Sequence, residues 1–415
     1  MDLSFLKTRY FDRTIRLVLA GGGSGGHTFP LIAVSREFKK IAQDKNFLFE
    51  IFYIGPDDFT LPYIAKEEGI VIKKIITGKF NRQNSKENKL IGFLNNFLNF
   101  FKTVGSIFQC LYYVYILMPD AVFSKGGYGA FPVIFWSIIF FIPTFTHESD
   151  AIPGLVNQLS GRFCKKVFVS FEDTKQYFPL DRAVLTGNPV RSDLFVTVND
   201  NSDSQNTKKL MGLSAERPIL TIIGGSQGSS HINDLILDIL PKVIDKIELI
   251  HQTGKENYKK VQREADIVFQ EIIGSKENQK YYHLTPFFEE IEAPSISSLR
   301  DVYLVSDLII ARAGSGLIFE IAASGKPSIL IPLPWASRDH QKKNAYEYAE
   351  SGAAIIVEEA NLKTNIFSDL VLQTIFDEQK RKTMSQAALK FAKPQAAQDI
   401  ARQIIAELHL ESQFL

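Results

Sequence analysis

Two segments about 200 residues apart share one pattern: a short apolar run, a cluster of glycines, and then apolar residues at helical spacing. The first reads LVLAGGGSGGHTFPLIAVSREF over residues 17–38, and the second reads PILTIIGGSQGSSHINDLILDIL over residues 218–240. This order predicts a buried strand, a tight turn and a helix. Because a chain of 415 residues is too long for one ordinary core, the two starts predict two Rossmann-like α/β halves.

Further apolar runs alternate with helical patterns, as an α/β fold requires. The predicted strands are 48–54, 121–124 and 144–146 in the first half, and 248–252, 308–311 and 328–331 in the second. We expect a domain boundary near Gly187–Val190, with domains over 1–189 and 190–393. The polar segment 198–209 is expected to be a loop. Residues 394–415 are expected to form an amphipathic helix that packs back on the first domain.

Composition narrows the class of protein. The chain has 47 Lys and Arg against 46 Asp and Glu, a net charge of +1 that gives no global argument for binding nucleic acid. Cys110 and Cys164 lack paired spacing, which argues against a disulfide framework or zinc site and fits a reducing cytoplasm. No signal peptide is expected. The uncharged stretches 103–119 and 130–146 are shorter than the 18–20 residues or so of a membrane span, so we expect buried segments there.

The glycine turns suit an anionic ligand. Glycine lets backbone N–H groups approach a ligand, and the N-terminus of the next helix adds about half a positive charge. The first turn lacks the Gly-Lys-Ser/Thr ending of a Walker A loop, and the next strand lacks the terminal acid of a dinucleotide fold. A third turn, over 314–316, leads into a helix that carries Glu320, a candidate partner for a ribose diol. These turns indicate a phosphate or diphosphate ligand, with a tight ligand-free turn as the alternative.

Eight motifs occur in one order along the chain: GGGSGGH, KGGYGAFP, HESDAIPG, GNPVR, GGSQGSSHIN, HQTG, ARAGSGLIFEIAASGKPSILIPLP and DHQKKNA. Together they resemble the MurG family, the UDP-N-acetylglucosamine:undecaprenyl-diphospho-muramoylpentapeptide N-acetylglucosaminyltransferases, over roughly residues 14–405. The resemblance implies a GT-B fold, in which two Rossmann-like domains face each other across a cleft. It assigns 1–189 to the acceptor and the membrane, and 190–393 to UDP-GlcNAc.

The implied reaction is an inverting transfer of GlcNAc from UDP-GlcNAc to the 4-hydroxyl of the muramoyl sugar of lipid I. The product, lipid II, is the building block of peptidoglycan, and no cofactor or metal is implied. Other readings remain open: a UDP-sugar transferase acting on another lipid, a UDP-GlcNAc 2-epimerase, or a non-enzymatic UDP-sugar-binding scaffold. Other cell-wall synthesis enzymes are implied as partners.

The resemblance also implies roles for single positions. His27 is the expected base for the acceptor hydroxyl, and its unperturbed pKa near ~6.5 suits that task. Implied substrate-binding positions are Ser24, Gly25, Gly26, Asp150, Arg191, Ser226, Phe287, Phe288, Ser315, Gly316, Leu317, Ile318, Phe319, Glu320, His340 and Gln341.

The implied contacts divide by part of the donor. The first glycine loop faces the donor sugar and diphosphate, and Arg191 and Ser226 contact phosphate. Phe287 and Phe288 hold the uracil. Residues 315–320 hold the diphosphate at a helix start, with Glu320 on the ribose. Gln341 contacts the GlcNAc hydroxyls, with His340 beside it.

Two departures from the family pattern affect these assignments. The family usually has His-Glu-Gln-Asn where residues 147–150 are His-Glu-Ser-Asp. An ionised Asp150 accepts a hydrogen bond but cannot donate one, so both a sugar contact and a basic role near the acceptor stay open. Residues 291–299 resemble an insertion after the uracil-binding segment.

One local stretch is strongly basic. Residues 73–102 contain seven Lys or Arg and one Glu, and residues 90–101 add phenylalanines at helical spacing. This combination predicts peripheral binding to an anionic membrane, at its cytoplasmic face. A core helix beside a solvated run of charges is the alternative.

Overall fold

The computed structural model describes residues 14–22, 25–56, 68–78, 89–191, 194–195, 201–225, 227–274, 277–288 and 295–408. Within these ranges, the side chains of residues 25–27, 89–98, 100 and 201–202 lie outside the description. The chain divides into two compact units. Unit 1 is formed by residues 1–189 with 395–415, and unit 2 by residues 190–394.

Unit 1 is built on a parallel sheet. Its described strands are β1 Ile15–Ala20, β2 Phe49–Gly55, β3 Val71–Lys74, β4 Ala121–Ser124, β5 Thr144–Glu148, β6 Lys166–Val169 and β7 Ala183–Leu185. They lie in the order β3-β2-β1-β4-β5-β6-β7. Because both faces of β1 are covered, its apolar residues are consecutive and not alternating, and Leu17, Val18 and Leu19 are all buried.

Four described helices connect these strands: α1 Gly25–Asp44, α2 Lys89–Leu117, α3 Phe131–Ile139 and α4 Leu155–Ser160. α1 packs Leu31, Val34 and Phe38 into one apolar cluster with Leu17 and Leu19 of β1. On the other side, Cys110 and Val114 of α2 pack with Val18 and Val122. The helices therefore cover the central strands from both faces.

Unit 2 repeats this plan. Its described strands are β8 Ile219–Ile223, β9 Glu248–Gln252, β10 Tyr282–Thr285, β11 Leu308–Ala311, β12 Ser328–Leu330 and β13 Ala354–Ile356, all parallel and in the order β10-β9-β8-β11-β12-β13. Its described helices are α5 Asn201–Leu210, α6 Ser230–Val243, α7 Tyr258–Ile267, α8 Leu299–Val305, α9 Ser315–Ala323, α10 His340–Glu350, α11 Thr364–Phe376 and α12 Glu378–Phe391. In both units the first strand lies in the middle of the sheet.

The last described helix returns to unit 1. α13, Ala396–Glu407, buries Ile400, Ile404 and Ile405 in the same cluster as Phe38 of α1. Its Glu407 pairs with Lys165 at 3.4 Å.

The strands predicted over 121–124, 248–252 and 308–311 have these bounds in the structure, and the one predicted over 144–146 continues to Glu148. The loop predicted over 198–209 is wrong, because residues 201–210 form α5. Asp203 in its first turn and Lys208 and Lys209 in its last turn complement the helix dipole, so a polar segment becomes helical. None of the described helices is long and apolar enough to cross a membrane.

Candidate active site

The strand order of each sheet determines where a ligand can bind. In an open α/β sheet, ligands bind outside the carboxyl ends of the strands where the chain reverses its direction of winding. That point lies between β1 and β4 in unit 1 and between β8 and β11 in unit 2. We call residues 21–22, 25–27 and 125–129 the unit 1 edge, and residues 224–225, 227–229 and 312–316 the unit 2 edge. Both edges consist of the glycine turns that the sequence singles out.

At the unit 1 edge, the two glycine turns touch backbone to backbone. A Cβ on Gly22 would lie 3.4 Å from Cα of Gly127 and 3.5 Å from the amide nitrogen of Gly129. Gly126 and Gly127 both have positive φ, at 77° and 84°. The positive φ favours glycine at 126 and 127, whereas a Cβ on Gly22 would make ordinary van der Waals contact with the second turn.

The first glycine turn leads directly into α1. Gly25, Gly26 and His27 form the start of that helix, where the first N–H groups have no intrahelical partner and can face an anion. Ser24 lies outside the described residues, and so does the side chain of His27. The role of His27 as the base for the acceptor hydroxyl stays a prediction.

Asp150 lies on a turn that a buried carboxylate organises. Glu148 accepts hydrogen bonds from the backbone N–H groups of Asp150 and Gly154, both at 3.0 Å, and from the Asn157 amide at 2.9 Å. Burial raises the pKa of Glu148, and the Asp150 carboxylate raises it further, while these hydrogen bonds oppose the rise. Glu148 therefore holds the turn in shape. Asp150 is half-buried and follows β5, the strand that pairs with β4.

A buried lysine next to this turn was missed by the sequence reasoning. Lys125 follows β4 and is 2% exposed, and its ammonium contacts His147, Ser149 and Asn188. The sequence signal is its place within the motif KGGYGAFP, where a charge interrupts an otherwise apolar run.

At the unit 2 edge, the turn after β8 has Gly225 and Gly228 at positive φ of 90° and 76°. Ser229 caps α6 by accepting a hydrogen bond from the backbone N–H of Ile232 at 3.4 Å. The side-chain amide of Gln252, at the end of β9, donates to the Gly225 carbonyl at 3.0 Å. Ser226, the predicted phosphate contact, lies outside the described residues.

Arg312 connects the two turns of the unit 2 edge. Its guanidinium donates to the Ser229 hydroxyl at 2.6 Å, to the Ile331 carbonyl at 3.2 Å and to Glu359 at 3.2 Å. Since it is 7% exposed and bonded to these groups, Arg312 fixes the two helix starts relative to each other. Sequence reasoning assigned it no role, although an arginine between a buried strand and a glycine turn is a visible signal.

The start of α9 is open to a ligand on its N-terminal side. A Cβ placed on Gly314 or Gly316 would meet no atom of the described residues within 4 Å. Gly314 is the N-cap and has no side chain to bind the first N–H groups. The N–H groups of Ser315, Gly316 and Leu317 are therefore the ones that an anion can reach.

Ile318 and Phe319, the next two predicted positions, have buried side chains, unlike the open helix start. Phe319 packs on Phe391 with ring centroids 5.2 Å apart. The backbone N–H of Ile318 already donates to the Gly314 carbonyl at 3.0 Å. These two side chains thus belong to the core of unit 2, which narrows the predicted diphosphate contact to residues 315–317.

Glu320 and Arg191 meet around one buried tyrosine. The Tyr303 hydroxyl donates to Oε2 of Glu320 at 3.3 Å. Burial raises the pKa of Tyr303 well above its usual range and Glu320 raises it further, whereas the nearby positive charge of Arg191 lowers it. Two positions that are 129 residues apart in the sequence are thereby brought together, one anionic and one cationic. Tyr303 was not predicted as a site residue.

The predicted uracil contacts follow β10. Phe287 is half-buried, its ring lies 5.5 Å from the Lys255 ammonium, and its carbonyl accepts a hydrogen bond from the Thr285 hydroxyl at 3.0 Å. Phe288 is buried. Residues 289–294, where the predicted insertion begins, lie outside the described residues.

The predicted sugar contacts start α10. His340 Nδ1 lies 2.7 Å from the Ser337 carbonyl, and Oε1 of Gln341 accepts the backbone N–H of Leu333 at 3.1 Å. The NH₂ end of Gln341 is therefore the one that suits a sugar hydroxyl oxygen. Arg338 and Asp339, just before the helix, have positive φ of 59° and 55°, so this turn carries backbone strain.

No cluster of three or more His, Cys, Asp or Glu side chains within the described ranges has an arrangement that would hold a metal ion. The polar and charged groups at and near the two edges include backbone N–H groups, Lys125, Arg191 and Arg312, and the carboxylates of Asp150 and Glu320. Such groups suit a phosphorylated, hydroxyl-rich ligand.

Comparison with protein families supports this ligand class. Residues 17–169 match the glycosyltransferase family 28 N-terminal domain, and residues 219–403 match the family 28 C-terminal domain. The crystal structure of Acinetobacter baumannii MurG is similar at a TM-score of 0.67 and 26% identity, covering 94% of this chain and 99% of that one. A UDP-GlcNAc 2-epimerase from Neisseria meningitidis, bound to UDP-GlcNAc, has a TM-score of 0.61 and 16% identity over 96% of this chain and all of its own, which shows the shared fold alone.

Two curated relatives carry one name: UDP-N-acetylglucosamine--N-acetylmuramyl-(pentapeptide) pyrophosphoryl-undecaprenol N-acetylglucosamine transferase. The one from Clostridium tetani is 33% identical over 355 residues, covering 85% of this chain and 88% of the relative. The one from Bacillus cytotoxicus is 32% identical over 384 residues, covering 92% and 96%. The family resemblance and the GT-B fold class are confirmed, and the chain belongs to the MurG family of glycosyltransferases.

Proposed function

We propose that the chain transfers GlcNAc from UDP-GlcNAc to the 4-hydroxyl of the muramoyl sugar of lipid I, and so forms lipid II for peptidoglycan synthesis. The observation that carries this proposal is the identity above 30% with relatives named for this reaction, over most of their length. The two glycine-turn edges, one in each unit, support it because each offers backbone N–H groups to a phosphorylated substrate.

In this proposal the donor binds at the unit 2 edge. The N–H groups of residues 315–317 and the guanidinium of Arg191 hold the diphosphate, and Glu320 accepts hydrogen bonds from the ribose hydroxyls. As the sugar leaves, negative charge grows on UDP. Preorganised N–H dipoles and a cation stabilise that charge more in the transition state than in the ground state, which accelerates the reaction.

The acceptor is activated at the unit 1 edge. His27 takes the proton of the 4-hydroxyl, and the oxygen attacks the anomeric carbon from the face opposite UDP. One C–O bond forms as the bond to the diphosphate breaks, and its electron pair leaves with UDP, so the configuration inverts. Asp150 follows β5, the strand next to β4, and either contacts a sugar hydroxyl or assists the proton transfer.

An exposed aromatic surface in unit 1 suits a lipid-linked acceptor. We call Tyr115, Phe131, Phe135, Phe140 and Phe141 the aromatic face. Tyr115 contacts Phe140 at 6.3 Å and Phe131 contacts Phe135 at 6.2 Å between ring centroids, and Phe141 is 92% exposed. Such an area is typical of a protein or membrane interaction site.

The charge of α2, the helix that carries Tyr115, agrees with a membrane role. Residues 101–119 contain no Asp or Glu, whereas Lys102 is exposed in the same stretch. The basic stretch predicted over 73–102 falls largely outside the described residues, so its contribution stays a prediction. We place the protein at the cytoplasmic face of the membrane, peripherally bound to anionic lipid, where other cell-wall synthesis enzymes are candidate partners.

The test is to incubate the protein with UDP-GlcNAc and a short-chain lipid I, and to identify the product by mass spectrometry. We expect one added GlcNAc on the acceptor and release of UDP, both strongly reduced in His27→Ala. Two further reactions separate the alternatives: one with diacylglycerol as the acceptor, and one without acceptor to detect ManNAc. Transfer to diacylglycerol alone, or formation of ManNAc, would contradict the proposal.

A further inference from the structure

Lys125 is a buried cation whose three N–H bonds all have acceptors. Its Nζ lies 2.5 Å from Nδ1 of His147, 2.5 Å from the Ser149 hydroxyl and 3.0 Å from Oδ1 of Asn188. An ammonium has three donors and no lone pair, so it matches three acceptors one to one. The arrangement fits the charged form of the lysine.

The tautomer of His147 supports this assignment. Its Nε2 lies 2.9 Å from the Gly187 carbonyl, which can only accept, so Nε2 carries the proton and Nδ1 is the acceptor. Burial and the charge of Lys125 hold the pKa of His147 well below its usual range. The imidazole therefore stays neutral and keeps its lone pair towards Lys125.

The three acceptors come from separate parts of unit 1. His147 is the last residue but one of β5, and Ser149 immediately precedes Asp150. Asn188 lies two residues before unit 2 begins at Val190. Lys125 itself starts the second glycine turn of the unit 1 edge. One side chain thus joins this glycine turn, the Asp150 turn and the segment that leads to Arg191.

We propose that Lys125 is a positioning residue of the transfer reaction: its ammonium holds the Ser149–Asp150 turn and Asn188 in one arrangement at the unit 1 edge, and transfer requires that charged form. The inference rests on the proposed function. It assigns Lys125 no contact with substrate, because all three of its donors are used within the protein.

The surroundings of Lys125 make this arrangement sensitive to pH. Burial lowers the pKa of Lys125 to about 7, and the carboxylates of Glu148 and Asp150 oppose that fall. Above this pH the neutral amine has two donors and a lone pair, so at least one of the three acceptors loses its hydrogen bond. Activity is therefore expected to fall as the pH rises through the pKa of Lys125.

The test is the pH profile of kcat/KM for a short-chain lipid I between pH 6 and pH 9. Asn188→Asp has nearly the same shape and places a negative charge next to the ammonium, which stabilises the charged form. An adjacent opposite charge moves a pKa by about 1–3 units, so we expect the alkaline midpoint to move upward by about one pH unit or more. A merely structural role of Lys125 would not move the midpoint upward.

Lys125→Met is the complementary variant, because it keeps an unbranched side chain one atom shorter and removes the charge. We expect at least a tenfold lower kcat/KM, no alkaline limb attributable to residue 125, and an unchanged Kd for UDP, which is proposed to bind unit 2. Lys390→Met, at an exposed lysine of α12, is the matched control and should behave like the wild type. If Lys125→Met does not fold, Asn188→Asp, which retains the lysine, still decides.

Equal alkaline midpoints in the wild type and Asn188→Asp would overturn the positioning role while leaving the proposed function intact, and so would full activity of folded Lys125→Met. A wild-type protein that transfers no GlcNAc to lipid I at any pH would overturn the proposed function together with this inference. The two failures are therefore distinguishable.

Discussion

Replacing Glu320 by glutamine tests the proposed ribose contact with little change of shape. The carboxylate already accepts a hydrogen bond from Tyr303 at 3.3 Å, and it has enough lone pairs to accept both ribose hydroxyls as well. An amide has one acceptor oxygen, which Tyr303 and a single ribose hydroxyl would then occupy. The second ribose hydroxyl would face an NH₂ group and lose its acceptor.

The magnitude follows from that count of hydrogen bonds. A hydrogen bond to a charged group contributes about 1.5–3 kcal/mol. Because about 1.4 kcal/mol corresponds to tenfold in affinity, Glu320→Gln should weaken UDP binding about 10- to 100-fold. 2′,3′-dideoxy-UDP lacks both ribose hydroxyls and cannot make this contact with Glu320 in either protein. Glu320→Gln should therefore change the affinity for 2′,3′-dideoxy-UDP by less than about threefold.

The assay is isothermal titration calorimetry of the wild type and Glu320→Gln, each with UDP and with 2′,3′-dideoxy-UDP. The four affinities form a double-mutant cycle, and a coupling of at least about 1 kcal/mol is expected for groups in direct contact. Thermal unfolding of both proteins serves as the control for folding. Equal losses for the two nucleotides would refute the reasoning and leave Glu320 as a carboxylate that only supports Tyr303.

Four further outcomes are expected. His27→Ala should lower kcat about 10²- to 10⁴-fold with an unchanged Kd for UDP, since a base acts on the acceptor; unchanged kcat at saturating substrate would contradict its role. Gly228→Ala should lower the free energy of unfolding by about 1–3 kcal/mol, because φ is 76° and a Cβ would collide with the Thr253 carbonyl. Gly105→Ala should instead raise the free energy of unfolding by about 0.5–1 kcal/mol, because Gly105 lies inside α2 and a Cβ there would meet open space. Chemical denaturation measures both changes. High salt should release the protein from anionic vesicles, because each basic group near the surface contributes about 1 kcal/mol. Phe141→Asp should weaken the same binding, because it replaces an exposed aromatic ring by a negative charge. Retention of the protein on membranes after carbonate extraction would argue for an integral segment.

The sequence predicted features that depend on neighbouring residues. The glycine turns follow their strands because an apolar run, a flexible turn and a helical pattern are all local signals. Lys125, Tyr303 and Arg312 were missed because their partners are far away in the chain: Asn188 is 63 residues from Lys125, and Glu359 is 47 from Arg312. Only the sheet order brings such residues together.

One wrong prediction has a local origin instead. α5 was predicted as a loop from its polar composition, but the favourable charges at its two ends outweigh that composition. Ile318 and Phe319 match the family by position, and the helical periodicity of α9 directs their side chains into the core. Their predicted place in the diphosphate site stays a prediction. Family position thus indicates a helix, whereas the structure shows which of its side chains are buried.

The return of α13 to unit 1 determines the order in which a ribosome can complete the two units. About 210 residues separate the end of β7 from the start of α13, and they include all of unit 2. At about 5–20 residues per second, the nascent sheet of unit 1 waits about 10–40 s for its last helix. During that time the surface that Ile400, Ile404 and Ile405 later cover is exposed, and each of these side chains contributes about 1.5–3 kcal/mol when buried. Unit 2, although it follows in the gene, can finish folding first, so nascent unit 1 is where we expect chaperones to bind.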